Sequence, residues 1–334
     1  MKNPLTNPSE ETSNEVLDLD SGCIRNLPVP LFGSVMGLSG LSIALLRLDT
    51  FSLLPTVGWW LLLFTTGWFA LLLVAYASKT VRFHERVMLE FNHPVRIHFF
   101  PAISISMLLL AIGYLTINPS LSAGLWWTGA VLHFVLLLRT LRVWFFRGLP
   151  LQTYNPAWFI PVVGTLLVPI AGIQHAAVEL SWFFFSIGLV FWIAMLGMTL
   201  NRVIFHGGLP EKMLPTLFIL IAPPAVAFIA YMGLTAELNS FAKVLYFHAL
   251  FTTVLIMTFT DRFIRLPFYL SWWAYTFPLA AIALASIRYH AASEGIFFYH
   301  LGFALTLLLS LVVLTVAYRT IRAALNKTLC VAEM

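Results

Sequence analysis

Charged residues are scarce in this chain of 334 amino acids: Asp, Glu, Lys and Arg make up 10% of it, against 60% for hydrophobic residues. So few charges cannot cover the surface of a protein of this length in water, which excludes a soluble globular fold. The sequence contains 11 Trp and 10 Tyr, whose rings favour the interface between lipid headgroups and hydrocarbon. We therefore expect the lipid bilayer to surround most of the chain.

Cysteine is almost absent as well, since only Cys23 and Cys330 occur and each lies near one end of the chain. This spacing indicates neither a disulfide framework nor a cysteine-rich metal site. The sequence also has no glycine-rich phosphate loop and no HExxH motif. We expect no metal, no cofactor, no nucleic-acid partner and no enzymatic activity.

The first 27 residues lack both the basic start and the hydrophobic stretch of a cleaved signal peptide. They contain five acidic residues and few apolar ones, a composition typical of a disordered tail. We therefore divide the chain into a cytoplasmic tail (1–27), a ten-helix membrane domain (28–320) and a short cytoplasmic C-terminal tail (321–334).

Ten apolar stretches are long enough to cross a bilayer, which requires about 20 residues of helix. Charged or turn-rich segments separate them, and the sequence therefore predicts an all-α membrane protein. The predicted spans are 29–47, 56–78, 96–117, 121–141, 156–175, 179–201, 214–234, 240–260, 268–288 and 296–318.

The 19 Lys and Arg residues are distributed unevenly between the two sides of the membrane that these spans define. Sixteen lie on the side of both termini, and only Arg47, Lys243 and Arg288 lie on the other. Cytoplasmic loops keep the positive excess in membrane proteins. We therefore expect a multi-pass protein of the plasma (inner) membrane with both termini in the cytoplasm. The cytoplasmic charges would also attract anions to that end of a path, although topology alone explains them equally well.

Prolines interrupt alternate spans. Those inside the third, fifth, seventh and ninth spans are Pro101, Pro161, Pro169, Pro223, Pro224 and Pro278. The first span has Pro30 at its start and three close glycines, and the even spans have no proline in their interiors. Proline removes a helical hydrogen bond and clashes with the carbonyl four residues earlier. The pattern predicts five hairpins, each with a bent first helix and a straight second helix.

Bent spans should expose backbone carbonyls, here those of Ile97, Ala157, Ile219 and Ala274. Such carbonyls are tolerated at membrane depth where protein or a water-filled cavity satisfies them. We therefore expect the odd spans to form an inner ring around a central path, with the even spans as an outer wall. The alternative is that the prolines only kink tightly packed helices.

Titratable groups are missing from the middle of the predicted membrane domain. All 14 acidic residues lie in tails, loops or span ends. His133, His248 and His300 fall in even spans and His98 near the start of the third. Because proton-coupled carriers place such groups along their path, we interpret these histidines as hydrogen-bonding partners between helices rather than as a proton relay.

The most specific motif is WWAYTFP, at residues 272–278 in the ninth span. It resembles the corresponding helix of the plant slow-type anion channels, whose family includes the bacterial tellurite-resistance protein TehA. Further similar stretches are Leu31-Phe32-Gly33 with Gly37, His93-Pro94-Val95-Arg96, Asn155-Pro156 and Ala222-Pro223, in the same order and spacing as in the family.

This resemblance implies a ten-helix protomer with a quasi-fivefold arrangement of hairpins, its own central pore and assembly into a homotrimer. It also implies that Phe277 occupies the position of the phenylalanine that plugs the pore, although ordinary packing is the default for one of 29 phenylalanines. The candidates for lining or kinking the pore are Gly33, Gly37, Pro101, Pro161, Gly164, Pro223 and Pro278.

The sequence leaves three functions open. The first is a passive, gated channel for small inorganic anions such as chloride or nitrate. The second is a carrier of dicarboxylates or tellurite, as relatives in the wider family are described. A carrier needs a specific substrate site, for which arginine is the usual carboxylate ligand, and no arginine lies in the middle of an odd span. A membrane enzyme is a third possibility without a catalytic constellation to support it.

Overall fold

The structure, a computed structural model, describes residues 24–48 and 53–329. All regular elements in these two ranges are helices. Most of the predicted N-terminal tail and both cysteines lie outside the described residues. The prediction of ten spans is confirmed, and the protein is a multi-pass membrane protein.

The ten spans begin and end within a few residues of their predicted limits, apart from several extensions. They are Val29–Leu46, Leu53–Arg82, Arg96–Tyr114, Pro119–Arg147, Pro156–His175, Val178–Phe205, Glu211–Thr235, Ser240–Met257, Leu270–Ser293 and Ile296–Leu325. The longest contain 30 residues, or about 45 Å of helix, more than the roughly 30 Å of hydrocarbon. Hydropathy marks the hydrocarbon boundary, whereas helical hydrogen bonds continue beyond it. For this reason the tenth helix runs five residues into the segment predicted as the C-terminal tail.

The odd spans are broken and the even spans are continuous, as the prolines predict. Each odd span opens with a 3-10 segment and continues as α-helix. The opening segments are Val29–Phe32, Arg96–Phe99, Pro156–Trp158, Glu211–Ile221 and Leu270–Tyr275. The fifth span changes to 3-10 geometry a second time, at Gly164–Leu167, directly before the α-helix that contains Pro169.

The 3-10 segments satisfy carbonyls that we expected to be exposed, so that expectation is wrong at three of its four positions. The backbone N–H of Phe100 donates to the Ile97 carbonyl at 3.4 Å, directly before Pro101. The Ile219 carbonyl likewise accepts from the N–H of the residue before Pro223. The Ala157 carbonyl accepts from the N–H of Phe159, two residues later, which is shared with the Pro156 carbonyl. A 3-10 bond reaches back three residues rather than four, so the chain shortens its bonds where proline lacks a donor.

The spans form two layers. In the most apolar stretch of each odd span 61% to 89% of residues are buried, against 28% to 39% in each even span. We call the odd spans the inner spans and the even spans the outer spans. Each inner span packs against the next inner span in chain order, and the ninth packs against the first, so the inner spans close into a ring. Each outer span packs against the inner span that precedes it. The quasi-fivefold symmetry of these hairpins stays a prediction.

The ring is closed by the contact between the first and ninth spans, and glycines allow these two spans to approach closely. A Cβ atom on Gly37 would overlap Thr276 Oγ1, and one on Gly40 would lie 2.6 Å from Ala280 Cβ. Neither position could carry a side chain without moving the helices apart. The close approach of these two spans therefore depends on glycine.

A buried ion pair fixes the end of the membrane domain at which the first span begins. Lys79 Nζ lies 2.8 Å from Glu90 Oε1 and also donates to the Leu27 carbonyl at 2.8 Å. Tyr76 donates to the second oxygen of Glu90 at 2.8 Å. Glu90 belongs to the short helix His84–Asn92 between the second and third spans. The network therefore joins the segment before the first span to the second span and to this helix.

The loop before the fifth span is also pinned, through Tyr154. Its hydroxyl donates to the Met195 carbonyl at 3.0 Å and lies 2.9 Å from Thr199 Oγ1 on the sixth span. Burial raises the pKa of Tyr154 to about 12, so the hydroxyl stays protonated and available as a donor at physiological pH.

Candidate pore

Two cavities lie inside the ring of inner spans. The N-end cavity adjoins the N-terminal halves of the inner spans and has a volume of about 80 Å³. The C-end cavity adjoins their C-terminal halves and has a volume of about 980 Å³. All five inner spans contribute residues to each of them, and Tyr299 is the contribution of an outer span to the C-end cavity. The ring therefore encloses space at both ends.

Three residues line both cavities: Leu167, Val226 and Phe277. They come from the fifth, seventh and ninth spans, and all three side chains are apolar. Because they border the space on both sides, they mark the boundary between the two cavities. A narrow apolar boundary of this kind can exclude water and thereby stop ions.

The local structure of the ninth span places Phe277 at this boundary. The span changes from 3-10 to α-helix at Thr276, whose hydroxyl donates to the Trp273 carbonyl at 2.8 Å. Phe277 thus occupies the first turn of the α-helix, next to Pro278. A Cβ atom on Gly40 would lie 3.8 Å from the edge of its ring, so the absence of a side chain there leaves space beside the ring.

The N-end cavity offers no charged side chain among the described residues that line it. Two of its hydroxyls are already bonded to backbone carbonyls, since Thr216 donates to Met213 at 2.6 Å and Ser271 to Lys212 at 2.5 Å. The Trp273 indole donates to Thr320 at 3.0 Å. This end therefore presents an apolar wall without a fixed substrate ligand.

The C-end cavity is more polar. Its lining includes Arg47, Thr116, Gln174, Arg288 and His290. No Asp or Glu lies among the described residues that form this wall. Sequence reasoning missed this site, because it treated the two arginines as exceptions to the charge asymmetry. The available signal was their position at the C-terminal ends of two odd spans.

The candidate pore residues divide into two groups. Gly33, Gly164, Pro223 and Pro278 line the N-end cavity together with Phe277. Gly37, Pro101 and Pro161 are not among the described residues that line either cavity. Gly37 contacts the ninth span as described above, so a role for it in lining the pore is not supported. Pro101 and Pro161 lie within the α-helical parts of the third and fifth spans.

Gly164 also lies close to side chains of the third and fourth spans. A Cβ atom there would lie 2.8 Å from His133 Nε2, on the fourth span, and 2.7 Å from Ile105 Cδ1. His133 is fully buried, and its Nδ1 lies 2.9 Å from Ser104 Oγ on the third span. The predicted hydrogen bond between helices is confirmed for this histidine.

His98 confirms the same prediction at a second place. Its Nε2 accepts from the Trp144 indole of the fourth span at 2.9 Å, and its ring stacks on Trp158 with centroids 4.3 Å apart. In the described part of the chain, no three His, Cys, Asp or Glu side chains are grouped so as to hold a metal ion.

Comparison with known proteins places these features in a family context. A profile of the family described as SLAC1, voltage-dependent anion channel, matches residues 26–321. The S-type anion channel SLAH2 of Arabidopsis thaliana is 30% identical over 91% of this chain and 59% of its own length, so the chain spans little more than half of that relative. An uncharacterized transporter of Methanocaldococcus jannaschii is 26% identical over 86% of this chain and 90% of its own length. The tellurite resistance protein TehA homolog of Haemophilus influenzae is 24% identical over 87% and 90% respectively.

Proposed function

The chain belongs to the voltage-dependent anion channel family, and from this premise we propose that it is a gated, passive channel for small monovalent anions such as chloride and nitrate. In this proposal Phe277 is the gate. The anion moves along the axis of the inner spans. It passes between the two cavities when the phenyl ring of Phe277 moves aside.

The position of Phe277 between the two cavities carries the proposal. With Leu167 and Val226 it forms the only lining that the two cavities share among the described residues. An ion crossing three apolar side chains must lose part of its hydration shell, which costs free energy. Displacing the aromatic ring of Phe277 would shorten the apolar boundary between the cavities. The free-energy barrier to the ion would then be lower.

The lining of the N-end cavity favours a channel over a carrier. A carrier binds its substrate in a specific site that alternates in access. The N-end cavity has no charged side chain among its described lining residues, and the donors of Thr216, Ser271 and Trp273 are already engaged. Weak, nonspecific contact of this kind suits passive conduction.

Truncation of Phe277 tests the gate. We expect Phe277→Ala to raise the single-channel anion conductance in a planar bilayer at least about tenfold, equivalent to roughly 1.4 kcal/mol of barrier. Phe251→Ala is the matched control, because Phe251 lies exposed on the eighth span, away from both cavities. Equal currents for Phe277→Ala and the wild type would count against the gate.

A carrier of dicarboxylates or tellurite is the second candidate function. The two arginines of the C-end cavity favour it, because guanidinium groups bind carboxylates with paired hydrogen bonds. A carrier would show saturable exchange of malate or tellurite in proteoliposomes and little net anion current in either variant. That result would replace the channel with the carrier.

We further propose that the protein lies in the plasma membrane as a homotrimer with both termini in the cytoplasm. The positive-inside distribution of Lys and Arg supports the orientation. The many exposed apolar side chains of the outer spans, such as Phe64, Val190 and Leu311, offer surface for lipid and for neighbouring copies.

A further inference from the structure

The C-end cavity concentrates the few basic residues that lie on its side of the membrane. Only Arg47, Lys243 and Arg288 are found on that side, and two of the three line the cavity. Arg47 follows the first span directly, and Arg288 lies in the last turns of the ninth span. These two spans are neighbours in the ring, so the two arginines come from adjacent spans of the same wall.

Nothing described in the wall neutralises these two charges. Both side chains are exposed, and neither has a carboxylate partner among the described residues. The polar lining around them, Thr116 and Gln174, is uncharged and can donate hydrogen bonds. Arg47 and Arg288 are therefore the uncompensated charges of the described lining.

We propose that Arg47 and Arg288 form an anion-collecting site in the C-end cavity. This site binds small inorganic anions weakly before they reach Phe277. The site goes beyond the gate and rests on the proposed anion passage. Exposure to water keeps binding weak, so an anion can leave again towards the boundary with the other cavity.

The physical basis is electrostatic concentration. A cleft lined by one sign of charge between low-dielectric walls raises the local concentration of counter-ions. Salt screens the effect, since the Debye length falls from about 30 Å at 0.01 M ionic strength to about 3 Å at 1 M. The N-end cavity has no charged lining among its described residues, so the two ends should differ in how strongly they collect anions.

The test uses Phe277→Ala as the conducting background, in which Arg47→Gln and Arg288→Gln are introduced singly and together. We expect each change to lower the current of chloride or nitrate entering from the C-end about twofold to fivefold at 0.01 M salt, with little effect at 1 M. Current entering from the N-end should fall less. Arg288→Lys should retain more current than Arg288→Gln, because it keeps the charge.

Lys243→Gln is the matched control. Lys243 is an exposed cation on the same side of the membrane, in the eighth span, and it does not line the described cavity wall. A loss of current equal to that of the arginine variants would show a general surface-charge effect and overturn the site. A loss that persists unchanged at 1 M salt, or no loss at all, would also overturn it.

A binding measurement tests the collecting site independently of the channel proposal. Phenylglyoxal modifies accessible arginines, and peptide mass spectrometry measures the rate at each position. We expect nitrate, compared with gluconate at equal ionic strength, to slow modification of Arg47 and Arg288 but not of the exposed Arg265. If Phe277→Ala carries no anion current, the channel proposal fails, and protection or its absence still decides the collecting site.

Discussion

Single glycines decide how closely the helices of this protein approach one another. Gly37 and Gly40 allow the first and ninth spans to meet, and Gly164 leaves room for the His133 ring. The sequence predicted that glycines would matter in the odd spans. It could not assign their role, because a missing side chain serves close packing and an open cavity equally, and only the neighbouring helix distinguishes the two.

Gly164→Ala should destabilise the protein by about 1–3 kcal/mol, the usual cost of overpacking a filled core. The added methyl would meet His133 and Ile105, both of which are held by packing. Thermal unfolding in detergent measures the effect as a melting temperature lowered by several degrees. A melting temperature equal to that of the wild type would contradict the tight contact.

Gly197→Ala serves as the control for this change. Gly197 also lies inside a helix, the sixth span, but a Cβ atom there would meet no heavy atom within 4 Å. Alanine in place of an unconstrained helical glycine should be neutral or slightly stabilising. The two variants therefore separate contact from backbone propensity.

The sequence alone could not predict that two arginines line the same cavity. Arg47 and Arg288 are far apart in the sequence and drew attention only as exceptions to the positive-inside distribution. They share a cavity because the first and ninth spans are neighbours in a closed ring. Ring closure depends on contacts between distant segments, which hydropathy and residue spacing do not report.

The elements themselves followed largely from the sequence. Apolar length predicted the spans, and proline position predicted which of them are broken. The 3-10 geometry of the breaks was not foreseen, because proline specifies that one hydrogen bond is lost without specifying how the chain compensates. The Phe100 to Ile97 bond shows that the compensation is local.

The helix His84–Asn92 depends on its buried ion pair, and Lys79→Met tests that dependence. The change leaves Glu90 buried without its closest cation, which typically costs about 3–5 kcal/mol. We expect a value near the lower end, because Tyr76 still donates to Glu90 and Arg96 lies 3.8 Å from it. Thermal unfolding in detergent measures the loss.

The double variant Lys79→Met, Glu90→Gln supplies the comparison. Removing both charges eliminates the unpaired carboxylate, so the double variant should be more stable than Lys79→Met alone. If both variants lose the same stability, the charge pair is not what holds the helix, and the interaction of Lys79 with the Leu27 carbonyl would be the main contribution.

For the whole molecule, the two native cysteines provide a test of orientation and assembly without further mutation. We expect a membrane-impermeant maleimide to label Cys23 and Cys330 only after the cells are permeabilised, because both ends are proposed to be cytoplasmic. A bifunctional maleimide should then give covalent species no larger than a trimer. The positive-inside distribution and the family resemblance are the reasons for these expectations.

The double variant Cys23→Ser, Cys330→Ser is the control for both readouts and should give neither label nor cross-link. Labelling in intact cells would reverse the proposed orientation. Cross-linked species that stop at a dimer, or continue beyond three copies, would contradict the trimer.

All five inner spans of the ring come from one chain, and so do both cavities and the residues between them. Each copy in the proposed assembly should therefore contain a complete pore of its own. In the proposed channel, an inactive copy should remove only its own share of the current, and a copy with an open gate should conduct independently of its neighbours. In a cell that expresses two alleles, loss of function should accordingly behave as a matter of dosage, whereas loss of the Phe277 ring should act dominantly.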